Sequence, residues 1–201
     1  MKILICGDST AATFNPEETP IVGWGQLLAD HLPGVEVLNH AMAGRSTRTF
    51  LQEGRLDALD GLIAPGDLVV VQFGHNDGGN KPERHTEPRG DYTENLRTFI
   101  RFIQARQGVP VLMSSICVRI WENGVFQPSH TPYREAMEDL ARAEGVPFAD
   151  LYAETVSIVT SLGEEGSRAL YRDDNTHTLR AGADLFAAAA ARLLQPLLTR
   201  S

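Results

Sequence analysis

Three residues of this sequence have the types and the spacing that acyl transfer requires. Ser9 follows a short apolar run that ends at Gly7, and His177 comes three residues after Asp174. A serine hydroxyl becomes a good nucleophile when a neutral imidazole accepts its proton, and a carboxylate can fix the tautomer of that imidazole. The three side chains are therefore a candidate nucleophile, base and orienting acid.

Asp173 is an alternative candidate for the carboxylate that orients His177. This residue precedes His177 by four positions and could also approach the ring, but a spacing of three favours Asp174. The segment 174–177 could instead cap the helix that follows it, a role that is compatible with catalysis. The remaining histidines lie on a helix face or in turns and loops, where structural or substrate-contacting roles are favoured. They are His31, His40, His75, His85 and His130.

Acyl transfer also needs hydrogen-bond donors for the negative charge that develops on the carbonyl oxygen. The candidates are the backbone N–H of Ser9, the backbone of Gly44 and the side-chain amide of Asn76. Gly44 suits a close approach because it has no Cβ and tolerates a positive φ. Each residue could belong to an ordinary turn. Their joint occurrence after successive strands favours the catalytic interpretation.

The candidate residues are set among alternating strands and helices. Apolar runs predict strands at residues 3–6, 35–39, 67–73, 109–116 and 146–150. The last strand should lie near an edge because Pro147 cannot donate to a β-ladder. Helical spacing predicts helices at residues 23–31, 92–107, 131–145, 153–162 and 180–194, with weaker pieces between 47 and 63. Gly163 is expected to close the helix predicted at residues 153–162.

This alternation predicts a three-layer α/β/α sandwich around a parallel sheet of about five strands, in a single domain of residues 1–201. Right-handed crossovers place every strand-to-helix turn at one edge of such a sheet. Ser9, Gly44 and Asn76 lie in turns of this kind. We therefore expect them to be neighbours.

Charge and cysteine content argue against a nucleic-acid-binding, a membrane-binding and a disulfide-rich protein. The net charge of −8 argues against nucleic acid and anionic membranes as partners. Cys6 and Cys117 lie in or just after apolar strands and are expected to be buried thiols, not a disulfide. No stretch has the length and apolarity of a membrane-spanning helix, and no leader segment precedes Ser9, so a cytoplasmic location is expected.

Four blocks of this sequence resemble those of the SGNH hydrolase superfamily, also called GDSL-like hydrolases. The blocks are Gly7-Asp-Ser9, Asn39-His-Ala-Met-Ala-Gly-Arg-Ser46, Gln72-Phe-Gly-His-Asn-Asp77 and Asp174-Asn-Thr-His177. The second and third blocks are most similar to those of rhamnogalacturonan acetylesterases. The resemblance implies a flavodoxin-like fold with Ser9 as nucleophile, His177 as base and Asp174 as its orienting acid. It also implies Ser9, Gly44 and Asn76 as oxyanion donors, and no metal or cofactor.

The polar loops near the candidate site favour a short acyl group, above all acetyl, on a carbohydrate that carries negative charge. Arg45, Arg48, His75 and Trp121 are candidate substrate contacts, because guanidinium groups suit carboxylates and an aromatic ring can stack on a sugar. The arginines could instead pair with the chain's own acids. Loops 78–90 and 117–131 are long enough to form a lid. An ester of an imported pectin-derived oligosaccharide is the expected partner.

Two alternatives remain open at this point. The same blocks occur in lysophospholipase or thioesterase relatives, which need an apolar channel for a long acyl chain. The chain could also be a non-catalytic carbohydrate-binding domain, although such a domain would be expected to lack one of the three catalytic residue types. Ser9, Asp174 and His177 are all present.

Overall fold

The structure, a computed structural model, describes residues 1–199 of the chain. The strands are β1 (Lys2–Gly7), β2 (Glu36–Asn39), β3 (Leu68–Gln72), β4 (Val109–Met113), β5 (Trp121–Glu122), β6 (Val125–Phe126) and β7 (Phe148–Ala149). The α-helices are α1 (Trp24–Leu27), α2 (Thr47–Gln52), α3 (Thr93–Gln104), α4 (Thr131–Glu144), α5 (Leu151–Gly166) and α6 (Arg180–Leu198). Short 3₁₀ turns occupy Leu28–His31, Asp57–Leu59 and Ser167–Leu170, and a π-turn spans Pro88–Tyr92.

Five strands form one parallel sheet in the order β2-β1-β3-β4-β7. All of β3, and all of β1 after Lys2, are buried. Continuous apolar runs of this kind suit parallel strands that are covered on both faces. The predicted parallel sheet, with the strand after Pro147 at an edge, is confirmed.

Alternate side chains of β1 enter two separate apolar cores, as the two-residue period of a strand requires. Ile3 and Ile5 pack into the core beneath α1, α5 and α6. Leu4 and Cys6 pack into the core beneath α2, α3 and α4. Helices therefore cover both faces of the sheet, and the predicted three-layer sandwich is confirmed.

A β-hairpin of β5 and β6 stands where the sequence predicted an irregular loop. Its turn is formed by Asn123 and Gly124, with φ values of +52° and +76°. Asn-Gly favours a two-residue turn in which both central residues have positive φ. That dipeptide is the sequence signal that could have predicted the hairpin.

Several element ends also differ from the prediction. Gly163, with φ of +72°, interrupts the helical geometry of α5 as expected, but the chain then resumes a helical path to Gly166. α6 continues beyond the predicted end because Leu194 and Leu197 still pack on the core. β4 ends at Met113, the last residue that pairs with the short strand β7.

Cys6 and Cys117 are free and buried, as expected. Burial raises the pKa of the Cys6 thiol to about 12, so this thiol stays protonated at neutral pH. Within residues 1–199, no helix is both long enough and apolar enough to cross a membrane. The same residues contain no cluster of three or more His, Cys, Asp or Glu side chains that could hold a metal ion.

Candidate active site

Ser9 lies in the tight turn after β1, at the carboxyl edge of the sheet. The Oδ1 atom of Asp8 accepts hydrogen bonds from the backbone N–H of Thr10 at 2.9 Å and from the Thr10 hydroxyl at 2.8 Å. The backbone oxygen of Asp8 also accepts from the N–H groups of Ala11 and Ala12. These bonds fix the turn and leave Ser9 only 8% exposed.

Asp174 and His177 lie in the loop that precedes α6. An antiparallel bridge between Tyr171 and Thr178 closes the base of this loop. The Oδ1 atom of Asp174 accepts from the backbone N–H of Thr176 at 2.9 Å and from that of His177 at 2.8 Å. The backbone of the loop therefore holds the carboxylate in a fixed position beside the imidazole.

The three side chains form one hydrogen-bonded series. The Oδ2 atom of Asp174 lies 2.9 Å from Nδ1 of His177, and Nε2 of His177 lies 2.8 Å from Oγ of Ser9. Burial opposes ionisation of Asp174, but hydrogen bonds from His177 and Thr176 hold the pKa of this carboxyl below its ordinary value. An ionised carboxylate favours a proton on Nδ1, which leaves Nε2 free to accept the serine proton. The neighbouring Asp173 makes no side-chain hydrogen bond within residues 1–199.

Three hydrogen-bond donors lie at the same edge of the sheet. The backbone N–H groups of Ser9 and Gly44 have no acceptor within the described part of the chain. Gly44 has a φ of +78°, a conformation that favours glycine. The amide of Asn76 donates one hydrogen to the backbone oxygen of Arg45 at 3.0 Å and retains a second. Unused donors beside a nucleophile can stabilise an oxyanion.

These groups line one open cleft with a volume of about 480 Å³. The polar and glycine part of the lining consists of Ser9, Gly44, His75, Asn76, Arg84, His130, Thr176 and His177. The apolar part consists of Phe14, Ile21, Ala43 and Val118. The cleft therefore brings Ser9 and His177 together with Gly44 and Asn76 in one cavity.

A family model described as the GDSL-like Lipase/Acylhydrolase family matches residues 5–185, a range that includes Ser9, Gly44, Asn76, Asp174 and His177. The chain belongs to this family. The match covers most of the sheet and the whole hydrogen-bonded series. Membership places the chain among the carboxylic ester hydrolases.

This GDSL-like hydrolase is 37% identical to the probable rhamnogalacturonan acetylesterase YesY of Bacillus subtilis (strain 168), over 97% of this chain and 93% of the relative. It is 35% identical to a rhamnogalacturonan acetylesterase of Emericella nidulans, over 92% of this chain and 81% of the relative. The crystal structure of YxiM from Bacillus subtilis matches it with a TM-score of 0.88 at 30% identity. That match covers 99% of this chain and 57% of the YxiM chain.

His75 and His130 lie side by side in the lining of the cleft, with ring centroids 4.6 Å apart and ring planes at 64°. Nε2 of His75 and Nδ1 of His130 are buried and have no hydrogen-bond partner within residues 1–199. Burial lowers the pKa of each imidazole to about 4. Both rings are therefore neutral at pH 7. They line the cleft without adding charge to it.

The structure places the other predicted substrate contacts outside the lining of the cleft. Arg45 pairs with Glu53 at 3.0 Å, and Arg48 pairs with Asp91. Trp121 lies in the hairpin and packs its ring against an aromatic ring of β6. Each of these three side chains is engaged by the protein's own side chains, and its contact with a substrate stays a prediction.

Arg84 is a cleft residue that the sequence did not single out. Its Nη1 lies 3.3 Å from Oδ1 of Asn76, and its guanidinium group lies within 3.4 Å of where a Cβ on Gly44 would stand. Within residues 1–199, no carboxylate pairs with it. The only sequence signal was its position in the polar loop 78–90. How that loop folds back onto Asn76 depends on tertiary contacts.

Asp77 supports the turn that carries Asn76. Its carboxylate accepts from the N–H of Thr47 at 3.1 Å, from the Thr47 hydroxyl at 2.5 Å and from the Thr86 hydroxyl at 2.8 Å. Burial, together with the nearby charge of Asp8, raises the pKa of Asp77 to about 6. The hydrogen bonds from Thr47 and Thr86 partly oppose this shift. The network ties the end of β3 to α2 and to loop 78–90, which fixes the position of Asn76.

Proposed function

We propose that this hydrolase removes acetyl groups from carbohydrate, with pectin-derived rhamnogalacturonan oligosaccharides as the substrate class, through a Ser-His-Asp acyl-enzyme mechanism. The observation that carries the proposal is the hydrogen-bonded series from Asp174 through His177 to Ser9, at 2.9 and 2.8 Å. The named rhamnogalacturonan acetylesterases at 35–37% identity support the substrate class.

The first half of the reaction transfers the acetyl group to Ser9. Its Oγ attacks the acetyl carbonyl carbon while Nε2 of His177 takes the hydroxyl proton. The bond between that carbon and the sugar oxygen then breaks, and the imidazolium returns the proton to the departing sugar oxygen. The negative charge of Asp174 stabilises the imidazolium between these two proton transfers. The products of this half are the free sugar hydroxyl and acetyl-Ser9.

The second half of the reaction hydrolyses acetyl-Ser9. His177 takes a proton from a water molecule, whose oxygen attacks the same carbonyl carbon. The bond from that carbon to Oγ breaks, Ser9 recovers its proton from the imidazolium and acetate leaves. In both halves, the N–H groups of Ser9 and Gly44 and the remaining amide hydrogen of Asn76 would donate to the oxyanion, since none of them has an acceptor within the described residues.

The lining of the cleft supports a short acyl group. Four of its lining residues are apolar, namely Phe14, Ile21, Ala43 and Val118, and the other lining residues are polar or glycine. A long acyl chain gains about 0.8 kcal/mol for each methylene that it buries, and it needs a continuous apolar channel to do so. This composition favours acetyl over the lysophospholipase or thioesterase alternative.

Arg84 supports a substrate that carries negative charge. Its guanidinium group lines the cleft, and no carboxylate of residues 1–199 pairs with it. A guanidinium group binds a carboxylate through two parallel hydrogen bonds, the geometry that a uronate offers. Arg45 and Arg48 are less suited to this role, because Arg45 shares Glu53 with Arg55 and Arg48 pairs with Asp91.

The proposal is tested with a panel of acyl esters and acetylated oligosaccharides, assayed with the wild type and with Ser9→Ala. We expect acetate release from acetylated rhamnogalacturonan oligosaccharides by the wild type and none above background by the variant. Equal release by both proteins would contradict the mechanism. Binding of the oligosaccharides without any acetate release would support the non-catalytic carbohydrate-binding alternative.

A further inference from the structure

A second hollow, of about 290 Å³, lies behind the loop that holds Asp174 and His177. It is lined by Arg119, Arg168, Tyr171, Arg172, Asp173 and Asn175, and we call it the arginine hollow. It is separated from the catalytic cleft by two short segments of chain. Val118 and Thr176 line the cleft, whereas their sequence neighbours Arg119 and Asn175 line the hollow.

The guanidinium group of Arg119 is the central feature of the hollow. The residue is only 8% exposed, and within residues 1–199 no carboxylate pairs with it. Its acceptors are neutral: Oγ of Ser167 at 3.0 Å, Oδ1 of Asn175 at 3.1 Å and the backbone oxygen of Glu164. A guanidinium group has five N–H donors, so two remain beyond these three bonds. Burying a charge without a counter-charge costs free energy. An anion in the hollow would supply the counter-charge to Arg119.

The other charges of the hollow point to the same ligand. Arg172 makes no side-chain hydrogen bond within the described residues, and Arg168 pairs only with Glu165 in a highly exposed contact at 2.9 Å. Such exposed pairs are weak and are easily exchanged for another anion. Asp173 is the single acid of the lining. The hollow therefore has three guanidinium groups beside one carboxylate, although the whole protein carries a net charge of −8.

We propose that the arginine hollow binds a carboxylate or another oxyanion. Two sources share this chemistry: a uronate residue of an oligosaccharide that extends past Val118 and Thr176, or a free inorganic anion such as phosphate. Only the first source rests on the function proposed above. In either case the anion would contact Arg119, which holds Asn175 of the catalytic loop through its side chain and through its backbone N–H at 2.8 Å.

The first experiment measures binding of inorganic phosphate by calorimetry at constant ionic strength, so that ester hydrolysis plays no part. We expect saturable binding by the wild type, about tenfold weaker binding by Arg172→Gln and tighter binding by Asp173→Asn. Arg101→Gln is the matched control, because it removes an exposed arginine of α3 that lies outside the hollow. Absence of saturable binding by the wild type would overturn the site. An equal weakening of phosphate binding by Arg101→Gln would also overturn the site, because it would show that binding depends only on the overall charge of the protein.

The second experiment identifies the source of the anion. It compares kcat/KM for acetylated oligosaccharides with and without uronate, in the wild type and in Arg172→Gln. A fall in the acidic-to-neutral ratio in the variant assigns the hollow to the uronate of the substrate. An unchanged ratio, together with weakened phosphate binding, assigns it to a free anion. If no ester is hydrolysed at all, the proposed function fails and the phosphate result still decides the site.

Discussion

Nε2 of His177 lies 2.8 Å from Oγ of Ser9, although 168 positions separate the two residues in the chain. The relationship depends on the sheet and on the last loop. β1 occupies an inner position and delivers Ser9 to the carboxyl edge, while the bridge at Tyr171 and Thr178 directs the loop back over that edge.

Ser9 should be the site of covalent reaction. Its hydroxyl is the one in contact with the imidazole of His177, so a fluorophosphonate probe should label the wild type and leave Ser9→Ala unlabelled. Labelling is read by intact-protein mass spectrometry. Ser46→Ala is a suitable comparison, because this buried serine caps α2 and should not be needed for labelling. Equal labelling of the wild type and Ser9→Ala would remove Ser9 from its assigned role.

Replacing Asp174 by Asn should lower kcat by on the order of 10⁴. The Asn oxygen can still accept from the backbone N–H of His177, but its amide would face Nδ1 and favour the tautomer with the proton on Nε2. Asp173→Asn removes the same charge one residue earlier and should cost far less. Steady-state rates on an acetyl ester decide between them. The reverse ranking would assign the orienting role to Asp173.

Replacing Asn76 by Ala should lower kcat by about 10²–10³ with little change in KM. This pattern is expected because the amide would donate to the oxyanion only in the transition state. Asn80→Ala is the matched control, since it removes an exposed amide from the same polar loop region. If KM alone rises, Asn76 positions the substrate instead.

Catalytic efficiency should fall as the acyl chain lengthens from acetyl to octanoyl. Four apolar residues, Phe14, Ile21, Ala43 and Val118, line the open cleft, and they are too few to bury a whole octanoyl chain at about 0.8 kcal/mol for each methylene. A series of p-nitrophenyl esters measures this directly. Rising kcat/KM toward octanoyl would favour the lysophospholipase or thioesterase alternative.

His75 should make the protein less stable below neutral pH. Burial lowers its pKa to about 4, so the folded state binds its proton less readily than the unfolded chain, where the pKa is about 6.5. Its contribution is fully present above pH 6.5 and is lost as the pH falls toward 4. At pH 5 the loss should be about 1–2 kcal/mol in the free energy of unfolding.

Urea unfolding at pH 7 and pH 5 checks this value in the wild type and in His75→Gln. The comparison between the two proteins isolates His75 from Asp77, whose raised pKa of about 6 acts in the opposite direction. His130 adds to the effect of His75, because burial lowers its pKa to about 4 as well. The same loss between pH 7 and pH 5 in both proteins would exclude His75 as its source.

The parts of the site that depend on strand ends could be predicted from the sequence. β1 and β3 are apolar on both faces and end in polar turns, so their limits and the shared edge of Ser9 and Asn76 follow from local patterns. The contact between Asp174 and His177 is also local, because three residues separate them. These features need little knowledge of the tertiary structure.

The pairing of long side chains could not be predicted in the same way. Arg45, Arg48 and Arg84 have the same charge and reach, and nothing in the local sequence says which of them faces the cleft. The answer depends on where Glu53 and Asp91 stand after folding, because these acids engage the first two arginines. Arg84 is left to line the cleft.

The bridge between Tyr171 and Thr178 also restricts the conformations of the loop that carries Asp174 and His177. Just beyond it, α6 approaches so closely that a Cβ on Gly182 would lie 2.2 Å from the backbone oxygen of Leu170. Ordering the backbone of one residue costs about 1–2 kcal/mol of conformational entropy. For this loop that entropy is lost once, as the chain folds. In the proposed mechanism it is not lost again in each catalytic cycle, so the imidazole of His177 would meet every substrate molecule already in place.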